Sequence, residues 1–280
     1  MRKQASLIGL GLLSAIAVCA GLGLASAQAP TTAATNHPDF TGVWTSYRDP
    51  SAPPRAARPP AAAPGGAAPA ATPAGGAARP PRGDISGLPF TDAAKAKIAE
   101  YRTMVGTTGD APGAHCVGTG LPGSMEGSGG YPMEILQGRD QINIVYEAHA
   151  EMRRIYLGNR IIPEADRLPD RNGVSSARWE GDTLVVEVTD LKEQVDQRYA
   201  HSDQARITER YHLEKDSAGG RVLVSDWTMT DPFYTAPVKG QKKWSEVPNG
   251  HLLPYDCPEQ GWLEHLEELR NPNAPKSKYY

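Results

Sequence analysis

The sequence predicts a mainly β protein: an antiparallel meander that closes into a barrel or a strongly curved sheet, with one N-terminal and one C-terminal helix. Three observations carry this expectation. Short β-type runs recur at hairpin spacing between Pro132 and Val247. Turn sequences stand between several of them, at Gly138-Arg139-Asp140, Gly181-Asp182 and Ala218-Gly219-Gly220. With one further run around Trp44 there are about nine strands, enough to close a ring.

The chain opens on Arg2 and Lys3, continues with an apolar and small-residue run from Leu7 to Leu24, and reaches Ala25-Ser26-Ala27. This is the basic, apolar and small-residue order of a secretory signal cleaved after Ala27. The Gly and Ala content of the run and the cleavage pattern argue against an uncleaved anchor. Residues 1–27 are therefore expected to be a signal peptide, the protein to be periplasmic, and no stable membrane span to remain after cleavage. Cys19 goes with the signal. Cleavage removes two basic residues and no acidic ones, which deepens the chain's net charge of −3. An acidic balance without a basic stripe excludes a nucleic-acid partner.

Residues 28–49 form an N-terminal segment whose Asp39-Phe40-Thr41-Gly42-Val43-Trp44-Thr45 reads as the first strand. Residues 50–82 are almost entirely Ala, Pro and Gly with four Arg and no acid. Such a stretch has no apolar face to bury and is expected to be a disordered linker or insertion, which the first strand must span to rejoin the sheet. The barrel-like domain is assigned to 83–270. It starts with a helix capped by Thr91 or Asp92 and running to about Met104, with Ala94, Ile98, Tyr101 and Val105 on one face.

From Thr108 to Gly130 a Gly/Pro-rich loop contains Cys116. The strands follow: Pro132–Gln137, Gln141–Ala148, Met152–Leu157, Ala177–Glu180, Thr183–Thr189, Ala205–Leu213, Val222–Thr230 and Lys239–Val247. After Asp256-Cys257-Pro258-Glu259, the stripe Trp262, Leu266 and Leu269 predicts a C-terminal helix. Residues 271–280 are a polar tail.

Without the signal, Cys116 and Cys257 remain, an even pair in an oxidising compartment, and a disulfide between them is the economical reading. Closing a loop of roughly 140 residues is worth about 4–5 kcal/mol in the chain-entropy account, or less in practice. The pair offers no zinc ligand set, because no Cys-x-x-Cys or His partner spacing accompanies it. Gly118-Thr119-Gly120-Leu121-Pro122-Gly123 matches G-x-G-x-x-G, but neither a strand before it nor a helix start after it gives it a phosphate to cradle. Walker, His-Glu-x-x-His, Gly-x-Ser-x-Gly and EF-hand signatures are missing from the sequence. No cofactor and no metal are expected.

What remains are polar residues inside apolar strands, sorted into rows by the period of two. Glu209 shares a row with Ile207, Tyr211 and Leu213, so its carboxylate is expected either to pair with Arg153 or Arg154 or to be held neutral by burial. One of the adjacent Arg153 and Arg154 must point inward. Glu134 shares a row with Pro132 and Leu136 and is the interior candidate of its strand. Glu147 lies opposite the apolar row Ile142, Ile144, Tyr146. His201, in a polar connection just before the Glu209 strand, is a candidate acid or base near a barrel mouth. His115, His149, His212, His251 and His265 show no ligand spacing.

Several of these segments together, Asp39-Phe40-Thr41-Gly42-Val43-Trp44, Tyr131-Pro132-Met133-Glu134-Ile135, Arg153-Arg154-Ile155-Tyr156-Leu157, Trp179 to Val186, His201-Ser202 and Glu209-Arg210-Tyr211, resemble a large family of secreted bacterial proteins, mostly hypothetical. The resemblance covers nearly all of the mature chain except the linker. It implies that Glu134, Glu147, Arg153, Arg154, His201, Glu209 and Arg210, with Cys116 and Cys257, stand at the family's polar and cysteine positions. Gly42-x-Trp44 is also similar to the first strand of lipocalin-like barrels, which favours a barrel.

The expected function is a cofactor-independent acid/base enzyme of lyase, isomerase or hydratase type, acting on a small apolar or aromatic molecule. Release of formaldehyde from a lignin-derived aromatic is one concrete version. Glu209, His201 and Glu134 are the catalytic candidates, and Arg153, Arg154, Glu147 and Tyr211 the substrate-binding ones. The alternatives are a periplasmic carrier, in which the same side chains only orient a ligand, and a structural envelope protein, in which Arg–Glu rows bind the sheet together.

Overall fold

The computed structural model describes residues 37–52, 85, 87–106, 112–127, 130–160, 162–255 and 271. The signal segment, most of 50–82, Cys257 and the expected C-terminal helix lie outside the described residues.

Nine strands close a barrel in sequence order: β1 (Gly42–Ser46), β2 (Met133–Gln137), β3 (Gln141–Tyr146), β4 (Glu151–Leu157), β5 (Val174–Glu180), β6 (Thr183–Thr189), β7 (Arg206–Lys215), β8 (Arg221–Thr230) and β9 (Val238–Glu246). The expected lipocalin-like closure is thus present, and β1 pairs with both β2 and β9. One neighbour pair departs from the expected antiparallel meander. β4 and β5 run parallel, through Ile155–Ser175, Tyr156–Ser176 and Leu157–Ala177. The reason is parity: strands alternating in direction close a ring only if their number is even. A ring of nine needs one parallel seam, and the long connection between Leu157 and Val174 supplies the crossover that such a seam requires.

The inward row is continuous around the barrel. It includes Trp44, Met133, Ile135, Ile142, Ile144, Tyr146, Ile155, Leu184, Val186, Ile207, Leu223, Trp227 and Trp244, all nearly inaccessible to solvent. At the base, where β1 begins, the end is filled by Phe40, packed against Trp179 at 5.3 Å, and by His37 stacked on Trp179 at 4.7 Å. There Arg221 bonds Glu246 at 2.6 Å and lies over the Trp44 ring. Among the described residues no helix is long and apolar enough to cross a membrane.

The upper end is covered by chain rather than left open. Helix α1 (Asp92–Gly106) starts where expected, with the Ala94 amide donating to Thr91 Oγ1, and buries Ala94 and Ile98. Its entry is tied to the β8–β9 connection by a bridge between Phe90 and Tyr234, whose rings stack at 4.4 Å. The Gly/Pro-rich loop at 117–127 forms the rest of the cover and buries Leu121 and Met125. Side chains from other segments hold it. Glu151 accepts from the Gly120 amide, Ser124 Oγ and Asn172 Nδ2; Arg171 donates to the Gly118 and Thr119 carbonyls; Gln197 accepts from the Gly123 amide and donates to the Leu121 carbonyl. Gly118 and Gly120 are therefore part of a packed lid. At Gly120, with φ of 72°, an added Cβ would stand 2.6 Å from the Arg171 carbonyl oxygen.

Candidate functional site

The middle of the barrel holds the polar group that the β7 row pointed to. Arg153 of β4 faces inward and donates through Nη1 to both oxygens of Glu209 on β7, at 3.0 and 2.9 Å. Its Nε and Nη2 meet Ser175 Oγ on β5 at 3.1 and 3.0 Å. Arg153, Glu209 and Ser175 are all buried, as are Tyr146 and Tyr211 beside them. Burial works against the Arg153 charge, but facing Glu209 outweighs it and the guanidinium stays charged. Burial pushes the Tyr211 phenol well above its usual range, and the Glu209 carboxylate adds to that; the Tyr146 phenol is pushed up mainly by burial. The Ser225 hydroxyl faces Tyr211 but has no partner at hydrogen-bonding geometry among the described residues. The guanidinium fork is spent on its two neighbours, so this group reads as a saturated interior ion pair.

Of the expected site residues, the structure brings together Arg153, Glu209 and Tyr211. It separates the others. Glu134 lies on the outer row of β2, because Met133 and Ile135 take the inward positions opposite Tyr146 and Ile144. Its expected interior position is corrected accordingly. Arg154 is exposed on the outer face of β4. Glu147 follows the end of β3 and accepts from the Leu253 amide. His201 is fully buried at the upper end, where Nδ1 faces the Ser202 carbonyl at 2.9 Å, and Nε2 faces the Leu121 carbonyl at 3.1 Å and Gln194 Oε1 at 3.3 Å. Instead of standing free at a mouth, it anchors the lid.

A different group occupies the upper rim. Glu126, from the lid loop, accepts a 2.6 Å hydrogen bond from the indole nitrogen of Trp227 on β8. The Tyr199 ring, from the β6–β7 connection, stands edge-on to Trp227 at 5.0 Å and 84°. The Arg198 guanidinium lies 5.3 Å over the Tyr199 ring. Lys242, on the inward row of β9, lies 5.1 Å over Trp244 and close to Gly127 of the lid. Glu126 is only partly buried, yet burial raises its carboxyl pKa, against the pull of the Trp227 hydrogen bond, Lys242 and Arg198. Burial, and then Glu126, raise the Tyr199 phenol. A partly accessible carboxyl and a partly accessible phenol, both inclined to hold their protons and set against two indoles, have the composition of an acid/base site.

Sequence reasoning missed this cluster. Glu126 lies in a loop without periodicity, and its partner Trp227 is far along the chain. The one signal available was Gly240 opposite Trp227 in the β8–β9 ladder, where an added Cβ would stand 2.5 Å from the indole.

Elsewhere, a surface depression of about 450 Å³ opens at the base, outside β2 and β3, lined by Thr41, Leu136, Gln137, Asp140, Asn143 and Arg160. It touches none of the perturbed groups. Among the described residues no group of three or more His, Cys, Asp or Glu side chains is placed to hold a metal ion. No family model, no curated protein and no solved structure matches the chain.

Proposed function

We propose that the protein is a periplasmic, cofactor-independent acid/base enzyme of lyase, isomerase or hydratase type, and that its chemistry belongs to the upper rim of the barrel. The observation that carries this reading is the Glu126 carboxyl, partly buried, bonded to the Trp227 indole and flanked by the Tyr199 ring. In this reading Glu126 is the proton carrier, since its second oxygen takes no hydrogen bond from the described residues. The Tyr199 phenol donates to an oxygen on which negative charge develops, and Trp227 and Tyr199 wall the apolar or aromatic body of the substrate.

The carrier alternative needs open volume inside the barrel, where three indoles and the Arg153–Glu209 pair are packed. The structural alternative accounts for Arg153–Glu209 but gives no reason for two proton-holding groups at the rim. A disulfide between Cys116 and Cys257 belongs to the same proposal and would tie the chain before the lid to its C-terminal region.

The test is deuterium wash-in from D2O into a panel of small aromatic compounds, read by mass spectrometry, together with product analysis. Wild-type protein is expected to catalyse exchange or conversion that Glu126→Gln loses while staying folded. Activity that survives Glu126→Gln and disappears in a folded Glu209→Gln variant would overturn the assignment to the rim.

A further inference from the structure

Both proton-holding groups of the rim are carried by loops, and the two loops are fastened to each other. Glu126 stands on the lid turn, where backbone bonds from the Ser124 amide to the Gly120 carbonyl, from Glu126 to Pro122 and from Gly127 to Ser124 close residues 120–127 into one unit. Tyr199 stands on the β6–β7 connection, pinched into a loop where Gln194 and His201 exchange backbone hydrogen bonds at 3.0 and 2.9 Å. Between the two units lies the Gln197 carboxamide. Its Oε1 accepts from the Gly123 amide at 3.1 Å, and its Nε2 donates to the Leu121 carbonyl at 2.9 Å. A primary amide offers an acceptor and a donor side by side, so it fastens a backbone N–H and a C=O together and brings no charge of its own to the rim. Gly123 leaves room for it: an added Cβ there would stand 2.9 Å from Gln197 Oε1. The bonds reach the lid three residues before Glu126 and start two residues before Tyr199. Both of those side chains meet the same indole, Glu126 at the Trp227 nitrogen and Tyr199 edge-on to the ring.

We infer that Gln197 is the positioning residue of this rim: by fastening the lid to the connection it sets the Glu126 carboxyl against the Tyr199 phenol across Trp227, without meeting the substrate itself. This rests on the proposed acid/base site. A proton carrier and an oxyanion donor act together only when both reach one substrate in a fixed geometry. Trp227 does not supply that geometry alone, because a carboxyl can turn about a single hydrogen bond and an edge-on ring contact leaves the phenol free to slide. The Gln197 bonds fix the two backbones from which these side chains extend.

The test uses the full-length protein, comparing wild type with Gln197→Met, which keeps the length and removes both bonds, and Gln197→Asn, which keeps the amide and shortens its reach. The readouts are the indole N–H resonance of Trp227, the pH titration of the Glu126 carboxyl by carbon NMR, assigned with Glu126→Gln, and the kcat and KM of the conversion that wild type catalyses. Gln197→Met is expected to keep the resonances of the core Trp44 and Trp244 and to shift that of Trp227. The Glu126 titration, raised by burial, is expected to fall toward the ordinary carboxylate range as water reaches the loosened lid. kcat is expected to fall about a hundredfold, the scale of a misplacement by about an ångström, with KM little changed. Gln197→Asn is expected to move the same readouts less, and it carries the test if Gln197→Met does not fold. An unchanged Trp227 resonance and Glu126 titration in a folded variant overturn the inference, as does a loss confined to KM. Shifts in both NMR readouts without turnover of any compound by wild type would leave the fastening in place and remove the enzyme reading. Turnover that Gln197→Met retains in full, with both NMR readouts unmoved, would remove the positioning role alone.

Discussion

Replacing the interior ion pair one partner at a time, and then both together, separates a structural pair from a catalytic one. In Arg153→Met, Glu209 is left as a carboxylate with no exposure and without the one cation it pairs with among the described residues, and Ser175 Oγ loses both of its guanidinium donors. In Glu209→Leu, the guanidinium keeps Ser175 and loses its counter-ion. Removing one partner of a buried pair costs about 3–5 kcal/mol, because the remaining charge is uncompensated. That is a large part of the ~5–15 kcal/mol that holds a typical domain folded. It corresponds to a fall in melting temperature of roughly 6–20 °C for a domain of this size. The double variant Arg153→Met/Glu209→Leu leaves no buried charge and fills the space with apolar atoms. It is expected to recover most of the loss, since apolar replacement of a buried pair is often neutral or stabilising by about 1–4 kcal/mol.

The assay is urea denaturation of the four proteins followed by tryptophan fluorescence, which Trp44, Trp227 and Trp244 in the core make sensitive to unfolding. A double variant destabilised by the sum of the single losses would refute the argument, because it would show that the two side chains contribute independently. A double variant that folds but has lost every turnover of the wild type would return Arg153 and Glu209 to the catalytic role expected from their row.

Three further outcomes follow from the rim and the lid. Because the Glu126 carboxyl is raised in the folded protein, its favourable contribution is fully present in acid and is lost as pH rises through the raised value. Glu126→Gln is therefore expected to gain stability relative to wild type from acid to neutral pH, and a parallel pair of pH–stability curves would contradict this. Gly240→Ala places a methyl group 2.5 Å from the Trp227 indole and is expected to cost about 1–3 kcal/mol and to shift the Trp227 emission; an unchanged melt would show that the indole has room to move. Glu151→Ala strips the lid of one acceptor for three donors, and is expected to speed amide exchange over 118–127 far more than in the barrel strands, whereas Glu134→Gln on the outer face is expected to leave exchange unchanged.

The strands were legible because hairpin turns and alternation agree with each other. β6 and β8 begin or end within a residue of their apolar runs, and the row that contains Glu209 was read correctly from Ile207, Tyr211 and Leu213. β2 was misread because it carries apolar side chains on both faces, Met133 and Ile135 inward and Leu136 outward. The information to choose between them was present. The short turn at 138–140 sets Gln137 opposite Ile142 and Ile135 opposite Ile144, and the unambiguous β3 row then fixes β2. Arg153 and Arg154 were indistinguishable for a related reason, since both rows of β4 contain apolar residues and only the ring decides which is inside. The rim cluster lay beyond local pattern altogether, because a lid loop, the β6–β7 connection and the strands β8 and β9 all contribute to it.

The position of the ion pair has a cause that neither the row pattern nor the pair's own chemistry supplies. A nine-membered ring must contain a parallel seam, and here the seam is held by only three residue pairs, beginning at Ile155 and Ser175. Arg153 lies just before the first of them on β4, facing inward. Its guanidinium crosses the seam to Ser175 on β5 and spans the interior to Glu209 on β7. One planar, five-donor side chain thus joins three strands at a parallel seam that only three backbone pairs hold, as few as join β1 to each of its neighbours. An apolar replacement matches its burial and not this connectivity. On that account the Arg153→Met/Glu209→Leu barrel is expected to retain its global stability while amides of β4 and β5 exchange faster than those of β7 and β8. Uniform protection across all four strands would mean that the three backbone pairs hold the seam without help from Arg153.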